Sequence, residues 1–323
     1  MRAVVCRELG PPECLRLETF PAKPLGAGEV RVAIRAAGIN FPDILMVAGE
    51  YQLKPDLPFT PGVEAAGDVV EVDGDVKDVS IGDRVIVRMR HGAYTDEAVV
   101  TPSQLMRLPS NFDYAEGATL LAAYGTAYHA LIDRGRLGEG EVLLVHGAGG
   151  GVGLAAVETG KLLGATVIAA ASSEDKLAVA KAKGADHLLL YSREPFRDAV
   201  KRITGGRGAD VVFDPVGGQI FEDSVRCIAW GARLLVVGFT GGIGLARTNL
   251  LLIKGASVLG VRAGEAVRRN PALGDVRLKQ LVEWAEQGKI RPNVSHRLPL
   301  EEFARAMRLL IERKAIGRVA LIA

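Results

Sequence analysis

The sequence predicts an α/β fold in two unlike parts: a β-rich domain first, then a doubly wound parallel sheet. Three observations carry that reading. Up to about Leu108, short segments of alternating apolar and polar residues are separated by Gly, Pro and Asp turns. From Val142 onward, apolar runs of strand length alternate with helical patterns, as in a parallel sheet with crossover helices. The second part opens on Val142–Gly153, V-L-L-V-H-G-A-G-G-G-V-G, in which a buried-strand run passes into five glycines within seven residues.

Taken in order, Glu29–Ala37 (E-V-R-V-A-I-R-A-A) alternates as a half-buried strand should. Gly67–Val72, Arg84–Val87 and Tyr94–Val100 follow the same pattern, with turns at Asp73-Gly74 and Gly82-Asp83. Many short strands with turn signals suggest a barrel-like domain. Ala115–Arg134 is small and apolar with helical spacing. After the Val142–Val145 strand come Leu154–Gly164 as helix, Thr166–Ala171 as strand and Ser173–Lys183 as helix. His187–Leu190, Asp210–Asp214 and Arg233–Val237 are further strands, which completes a Rossmann arrangement. Ser257–Val261 is one more strand, apolar and suited to a sheet edge. Ala272–Gln287 and Leu300–Glu312 read as helices and Arg318–Ile322 as a last strand. The tail is too short to hold a core alone, so it is expected to pack back on the first domain. The expected division is residues 1–120 completed by 264–323, with 121–263 as the doubly wound domain.

Composition narrows the function classes. A chain of 323 residues, 48% hydrophobic and 24% charged, has ordinary globular composition and room for two cores. A net charge of +2 offers no electrostatic case for nucleic acid. The charge is uneven, because residues 262–323 hold thirteen Lys and Arg against seven Asp and Glu. Cys6, Cys14 and Cys227 form no CxxC pair or disulfide framework, as expected in a reducing compartment. The first ten residues lack a signal-peptide core and no run reaches membrane-spanning length, so a cytoplasmic location is expected.

The glycine stretch carries the first chemistry. A strand that turns through glycines into a helix presents backbone N–H groups and a positive dipole end to an anion. Gly147 or Ala148 allows the tight turn, Gly150 or Gly151 lets the backbone approach a pyrophosphate, and Gly153 lets the helix pack closely on the strand. The spacing is a variant, best read as Ala148-x-Gly150-x-x-Gly153 or Gly149-x-Gly151, with Val152 inside the loop. Strand, loop and helix in that order point to dinucleotide binding.

Further motifs occur in a set order: Gly38-Ile39-Asn40-Phe41-Pro42-Asp43, Gly49-Glu50-Tyr51, the run Pro58–Gly67 (P-F-T-P-G-V-E-A-A-G), Ala148–Gly153 and Asp214-Pro215-Val216-Gly217-Gly218. This set resembles the medium-chain dehydrogenase/reductase superfamily, and within it the zinc-free quinone oxidoreductases, the ζ-crystallin-like enzymes. The resemblance covers essentially the whole chain. It implies a GroES-like catalytic domain, a Rossmann domain inserted before its last portion, and a cofactor in the cleft between them. The departures from zinc alcohol dehydrogenases are informative. Asn40 stands where those enzymes carry a Cys ligand, and Gly62-Val63-Glu64 where they carry Gly-His-Glu. The four-Cys lobe is missing from Arg84–Tyr94. Three protein ligands for a catalytic zinc cannot be assembled from His91, His129, His146, His187 and His296, so no metal is expected. Without a Lewis acid, reduction of a quinone or activated C=C fits better than alcohol oxidation.

NAD-selective Rossmann domains place an acid at the end of the second strand. Here that strand ends Ala169-Ala170-Ala171-Ser172-Ser173, with no acid until Glu174. The resemblance implies that residues in the positions of Ser172, Lys176 and Tyr191 surround a 2′-phosphate, and hence NADPH; Ser173, next to them, is a further cofactor-binding candidate. The plainer alternative has Ser173 capping its helix and Lys176 solvated. The resemblance also implies cofactor contacts at Thr126, Val216-Gly217, Gly238-Phe239 and the Gly317-Arg318 step, each of which could instead be a turn or packing residue.

For chemistry, hydride transfer is mainly a task of orientation. The protein can add a hydrogen-bond donor to the oxygen that gains charge. Asn40 and Tyr51 match active-site positions of the branch and are the catalytic candidates; alternatively, Tyr51 packs its ring and Asn40 holds a turn. Asp43 is read as a turn or supporting residue. The same scaffold reduces 2-alkenals and acryloyl thioesters, and Arg262, Arg268 and Arg269 could meet a CoA phosphate. A non-catalytic NADPH-binding or RNA-binding role is the alternative of another class, disfavoured by the near-zero net charge. The apolar edge Ser257–Val261 and the resemblance together lead to the expectation of a homodimer.

Overall fold

Val30–Ile39 alternates buried and partly exposed side chains up to Arg35 and is buried throughout from Ala36. This places it at the middle of a sheet. The computed structural model, which describes residues Met1–Ala323, pairs it on both sides. The seven-stranded sheet runs in the order Val294–Pro299, Arg318–Ile322, Val30–Ile39, Glu64–Val72, Arg84–Arg88, Leu105–Arg107, and Glu97–Val100 also pairs with Val30–Ile39. All its pairings are antiparallel except the one between Val294–Pro299 and Arg318–Ile322. The last strand sets Val319 opposite Ile39 and Ile322 opposite Ala36, so the tail does complete the first sheet. Arg2–Val5 and Arg16–Thr19 add a two-stranded ribbon. Val32, Ile34, Ile39, Val87, Tyr94 and Leu321 lie in the shared core. This unit is Met1–Ala122 with Arg291–Ala323.

The second unit, Ala123–Ile290, is built on a six-stranded parallel sheet. Its strands are Val142–Val145, Thr166–Ala171, His187–Leu190, Ala209–Asp214, Ile228–Val236 and Ser257–Gly260. Numbered in that sequence, they lie side by side in the order 3-2-1-4-5-6, which is the Rossmann order. Val142–Val145 and Ala209–Asp214 are buried at every position, which explains their unbroken apolar runs. They are neighbours, so the chain order reverses between them, and ligands of such sheets bind at that switch point.

Several expectations need correction. Residues 264–290, expected with the first domain, cluster with the second. The helix Pro271–Glu286 holds them there: Arg277 pairs with Asp133 at 2.6 Å and the Trp284 ring lies 5.7 Å from that of Tyr128. Ala115–Arg134 is not one helix. Asp113 caps a short helix, Tyr114–Gly117, through the Glu116 amide at 2.9 Å, and Leu121–Tyr128 runs into a π-turn over His129–Arg134. The helix after the glycines begins at Gly151, not Leu154. The strand expected from Tyr94 begins at Glu97. The strand Val294–Pro299 and the helix Phe41–Val47 were not anticipated. The first lies at the sheet edge with polar, exposed Ser295 and Arg297, and the second follows Asn40 with a proline in its first turn.

Candidate functional site

At the carboxyl end of Val142–Val145 the chain makes the turn that the glycines require. Gly147 has φ +57°, a backbone region costly for any residue with a side chain. The Ala148 amide donates to Ala170 at 3.0 Å, which ties the turn to the next strand, and the Gly150 amide donates to Gly147 at 2.9 Å. Gly150 then caps the helix Gly151–Leu162. A Cβ on Gly153 would lie 2.3 Å from the Gly147 carbonyl oxygen, so only glycine lets this helix sit on the turn. A Cβ on Gly149 would lie 2.5 Å from Cβ of Lys176, whose stem crosses the loop. The amides of Gly151, Val152 and Gly153 begin the helix with no carbonyl behind them. Open amides at the positive end of a twelve-residue helix form a cradle for an anion.

Other expected residues lie along the same edge of the sheet. Ser172 is exposed and accepts from Lys176 Nζ at 3.2 Å. Ser173 caps the helix Glu174–Ala182 through the Lys176 amide at 3.4 Å, so its hydroxyl acts as a cap. Tyr191 places its hydroxyl 2.9 Å from His146 Nδ1 and 3.3 Å from the Gly147 amide nitrogen. It therefore faces into the turn. Val216 and Gly217 use their amides differently from a free phosphate contact: both donate to Asp214 Oδ1, at 2.8 and 2.9 Å. Gly217 has φ +73°, and a Cβ there would be 2.3 Å from the Gly242 carbonyl oxygen. Burial raises the Asp214 pKa despite these two amide bonds. Gly238 follows, with its amide on the Asp214 carbonyl at 3.3 Å, and Phe239 is exposed. Thr126 is half-buried on Leu121–Tyr128.

In the first unit, Asn40, Asp43, Glu64, Tyr94 and Arg318 form one buried polar network. Asn40 Nδ2 donates to Glu64 Oε1 at 3.1 Å and to Gly38 O at 3.3 Å, and its Oδ1 accepts from Arg318 at 2.9 Å. Arg318 also bonds Glu64 directly, and the second Glu64 oxygen accepts the Ala122 amide at 2.9 Å. Asp43 accepts from the Asn40 amide and the Tyr94 hydroxyl, each at 2.8 Å. Burial pushes Asp43 up to about 7 and raises Glu64, with Arg318 opposing the shift at Glu64. Two expectations change accordingly. The Asn40 amide group, read as a donor to a reacting oxygen, is occupied at both ends. Arg318, read as a cofactor contact, is an internal counter-ion, although its Nε has no partner. Tyr51 is half-buried and its hydroxyl makes no hydrogen bond within the chain.

Glu64 and Tyr94 in the first unit, and His146 beside Tyr191 in the second, were missed as members of these networks. The one local signal was a lone histidine ending a wholly apolar strand. Nowhere do three His, Cys, Asp or Glu side chains converge as a metal site requires, and Glu64 is taken up by Arg318. The residues at Asn40 and Val63-Glu64 therefore do not fit a catalytic zinc. Arg262, Arg268 and Arg269 all converge on Glu265, which ties up much of that cluster's charge. A cavity of about 500 Å3 in the first unit, lined among others by Met1, Phe59, Met89 and His91, contains none of the expected site residues. No helix is long and apolar enough to cross a membrane.

Two family models match: alcohol dehydrogenase GroES-like domain over residues 26–110, and zinc-binding dehydrogenase over 151–278. The second segment contains a single histidine, His187, and a single cysteine, Cys227. The chain is 38% identical to quinone oxidoreductase-like protein 2 homolog of Nematostella vectensis over 99% of its length and 88% of that protein's. Among solved structures, a probable oxidoreductase from Mycobacterium abscessus matches at 37% identity with a TM-score of 0.90, covering 100% of this chain and 99% of the other. The Escherichia coli quinone oxidoreductase complexed with NADPH matches at 28% identity and a TM-score of 0.89, covering 100% of both chains. A glycine turn opening a Rossmann sheet in the switch-point order, joined to a GroES-like sheet completed by the last strand, agrees with these matches: the chain is an oxidoreductase of the medium-chain dehydrogenase/reductase superfamily, in its quinone oxidoreductase-like branch.

Proposed function

We propose that this protein is a zinc-independent, NADPH-dependent reductase of a quinone or related conjugated carbonyl compound. The observation that carries the cofactor reading is Lys176. Its stem packs on Gly149 and its ammonium meets Ser172, so a cation stands beside the anion cradle where NAD-selective sheets place an acid. The open amides of Gly151, Val152 and Gly153 would hold the pyrophosphate, and Lys176 with Ser172 the 2′-phosphate. When bound, the reduced nicotinamide supplies the hydride. The side chains then orient the reactants, and Tyr51 offers its unpartnered hydroxyl to the acceptor oxygen that gains charge. Zinc independence is supported by the occupied side chains of Asn40 and Glu64. The acceptor class is supported by the relatives' names.

The test is NADPH oxidation in chelator-treated buffer with a simple quinone, a 2-alkenal and an acryloyl thioester side by side, repeated with NADH. Turnover of the quinone with a strong preference for NADPH is expected. Turnover confined to the alkenal or thioester would move the enzyme to the enoyl-reductase class. NADPH binding without turnover of any acceptor would favour a binding role. Tyr51→Phe should lower turnover by about 10²-fold or more if the hydroxyl stabilises charge or relays a proton, and unchanged rates with every acceptor would remove that role.

A homodimer through the second unit belongs to the same proposal. Ser257–Gly260 is an edge strand, and Trp230, lying over Gly255, together with Leu252 and Ile253, leaves large apolar side chains exposed nearby. Edge and apolar face together suit pairing with a second copy.

A further inference from the structure

His146 is wholly buried, one residue after the Val142–Val145 strand and one before Gly147. Each ring nitrogen meets one hydroxyl: Nδ1 lies 2.9 Å from Tyr191 Oη, and Nε2 lies 2.8 Å from Ser224 Oγ. The far end of this chain fixes the direction of every bond in it. Ser224 Oγ donates its single proton to the Ile220 carbonyl at 2.7 Å, so it can only accept from His146. Nε2 therefore carries the ring proton. Nδ1 of a neutral ring is then an acceptor, and Tyr191 donates to it. That leaves the lone pairs of the Tyr191 oxygen for the Gly147 amide, 3.3 Å away. Protons thus point from Gly147 to Tyr191, to His146, to Ser224 and to Ile220 without conflict. Burial lowers the His146 pKa to about 3, which keeps the ring neutral. Phe196 stands edge-on to both rings, with centroids 4.8 Å from His146 and 6.0 Å from Tyr191, and restricts their reorientation.

We infer that Tyr191, His146 and Ser224 are positioning residues that hold the Gly147 amide, and with it the glycine turn, in the conformation that receives a dinucleotide pyrophosphate. Tyr191 on this account serves the turn and not the 2′-phosphate that the family resemblance assigns to it. The inference rests on the dinucleotide reading above and adds a division of labour. The Tyr191 relay acts on what NADPH and NADH share, whereas Lys176 acts on what distinguishes them.

The test compares Tyr191→Phe with Lys176→Ala by fluorescence titration of both nucleotides. It adds the imidazole 15N spectrum of the unmodified protein and hydrogen exchange at Gly147. Loss of one neutral hydrogen bond predicts that Tyr191→Phe raises the Kd of NADPH and NADH by the same factor, about three- to tenfold. The Gly147 amide should exchange faster in that variant. Lys176→Ala should raise the NADPH Kd about tenfold to a hundredfold and leave NADH nearly unchanged. His146 should show the neutral Nε2–H tautomer from pH 8 to 5. A Tyr191→Phe effect confined to NADPH, no effect on either nucleotide, unaltered Gly147 exchange, or an Nδ1–H tautomer would each overturn the inference. The spectrum needs no variant, so a poorly folding Tyr191→Phe still leaves the relay testable. If the unmodified protein binds neither nucleotide, the cofactor reading fails, and the tautomer and exchange measurements still decide whether the relay exists.

Discussion

At the scale of single residues, Asp43 shows how burial redirects an ordinary side chain. It is wholly buried, with one carboxyl oxygen accepting two hydrogen bonds and the other without a partner. Its pKa rises to about 7, with burial as the main cause, against an unfolded value of about 3.9. An acid raised on folding contributes stability that is complete below the unfolded value and lost as pH climbs through the folded one. Asp43→Asn keeps the shape and an acceptor oxygen but cannot titrate. The stability advantage of the native protein over this variant should shrink between pH 5 and pH 8, by on the order of 1–3 kcal/mol, as read by urea unfolding at each pH. A constant or growing advantage would show that Asp43 is ionised throughout. The sequence identified Asn40 and Asp43 as special but could not say why. Their neighbour Arg318 lies 278 positions from Asn40 and leaves no local pattern.

At the scale of elements, the glycine turn separates two roles that composition alone merges. Gly153 is required by packing, because its Cβ would meet the Gly147 oxygen at 2.3 Å, whereas a Cβ on Gly150 would meet the same atom at a tolerable 3.4 Å. Gly153→Ala should lower stability by about 1–3 kcal/mol and weaken binding of both nucleotides. Gly150→Ala should leave the melting temperature nearly unchanged and weaken binding alone, since its added methyl obstructs only a pyrophosphate approaching the backbone. Calorimetric melting and nucleotide titration of the two variants check this; equal melting temperatures would contradict the packing role of Gly153. The central strands Val142–Val145 and Ala209–Asp214 were legible because runs buried on both faces are mostly apolar. The start of the helix Gly151–Leu162 was not, since a run of consecutive glycines reads as loop even where its last members are helical.

At the scale of the whole molecule, the exposed apolar residues beside the Ser257–Gly260 edge make association of two chains the expected state. Leu252 is 80% exposed, so Leu252→Glu should spare the fold of the single chain while placing a charge within the contact. Light scattering or sedimentation should give twice the chain mass for the native protein and a shift towards one chain mass for the variant. A native protein of single-chain mass would remove the dimer. The division of the chain was only partly visible beforehand. The returning last strand was anticipated, but the helix Pro271–Glu286 joined the second unit through Arg277 and Trp284, contacts without a sequence signature.

The sequence by itself determined the alternation of strands and helices in the second unit, the glycine turn after its first parallel strand and the missing acid at the end of the second, and through the family resemblance it showed Asn40 and Val63 where zinc enzymes carry ligands. These are local facts, set by backbone periodicity and by which side chains a short stretch contains. Only the tertiary structure decided which polar groups meet: Arg318 with Asn40 and Glu64, Tyr191 with His146 and Gly147, Asp133 with Arg277. The reason is that a buried polar group, cut off from water, must bond to whatever the fold brings beside it. Tyr191, to which the family resemblance assigns a phosphate contact, has its hydroxyl bonded to such partners, His146 and the Gly147 amide.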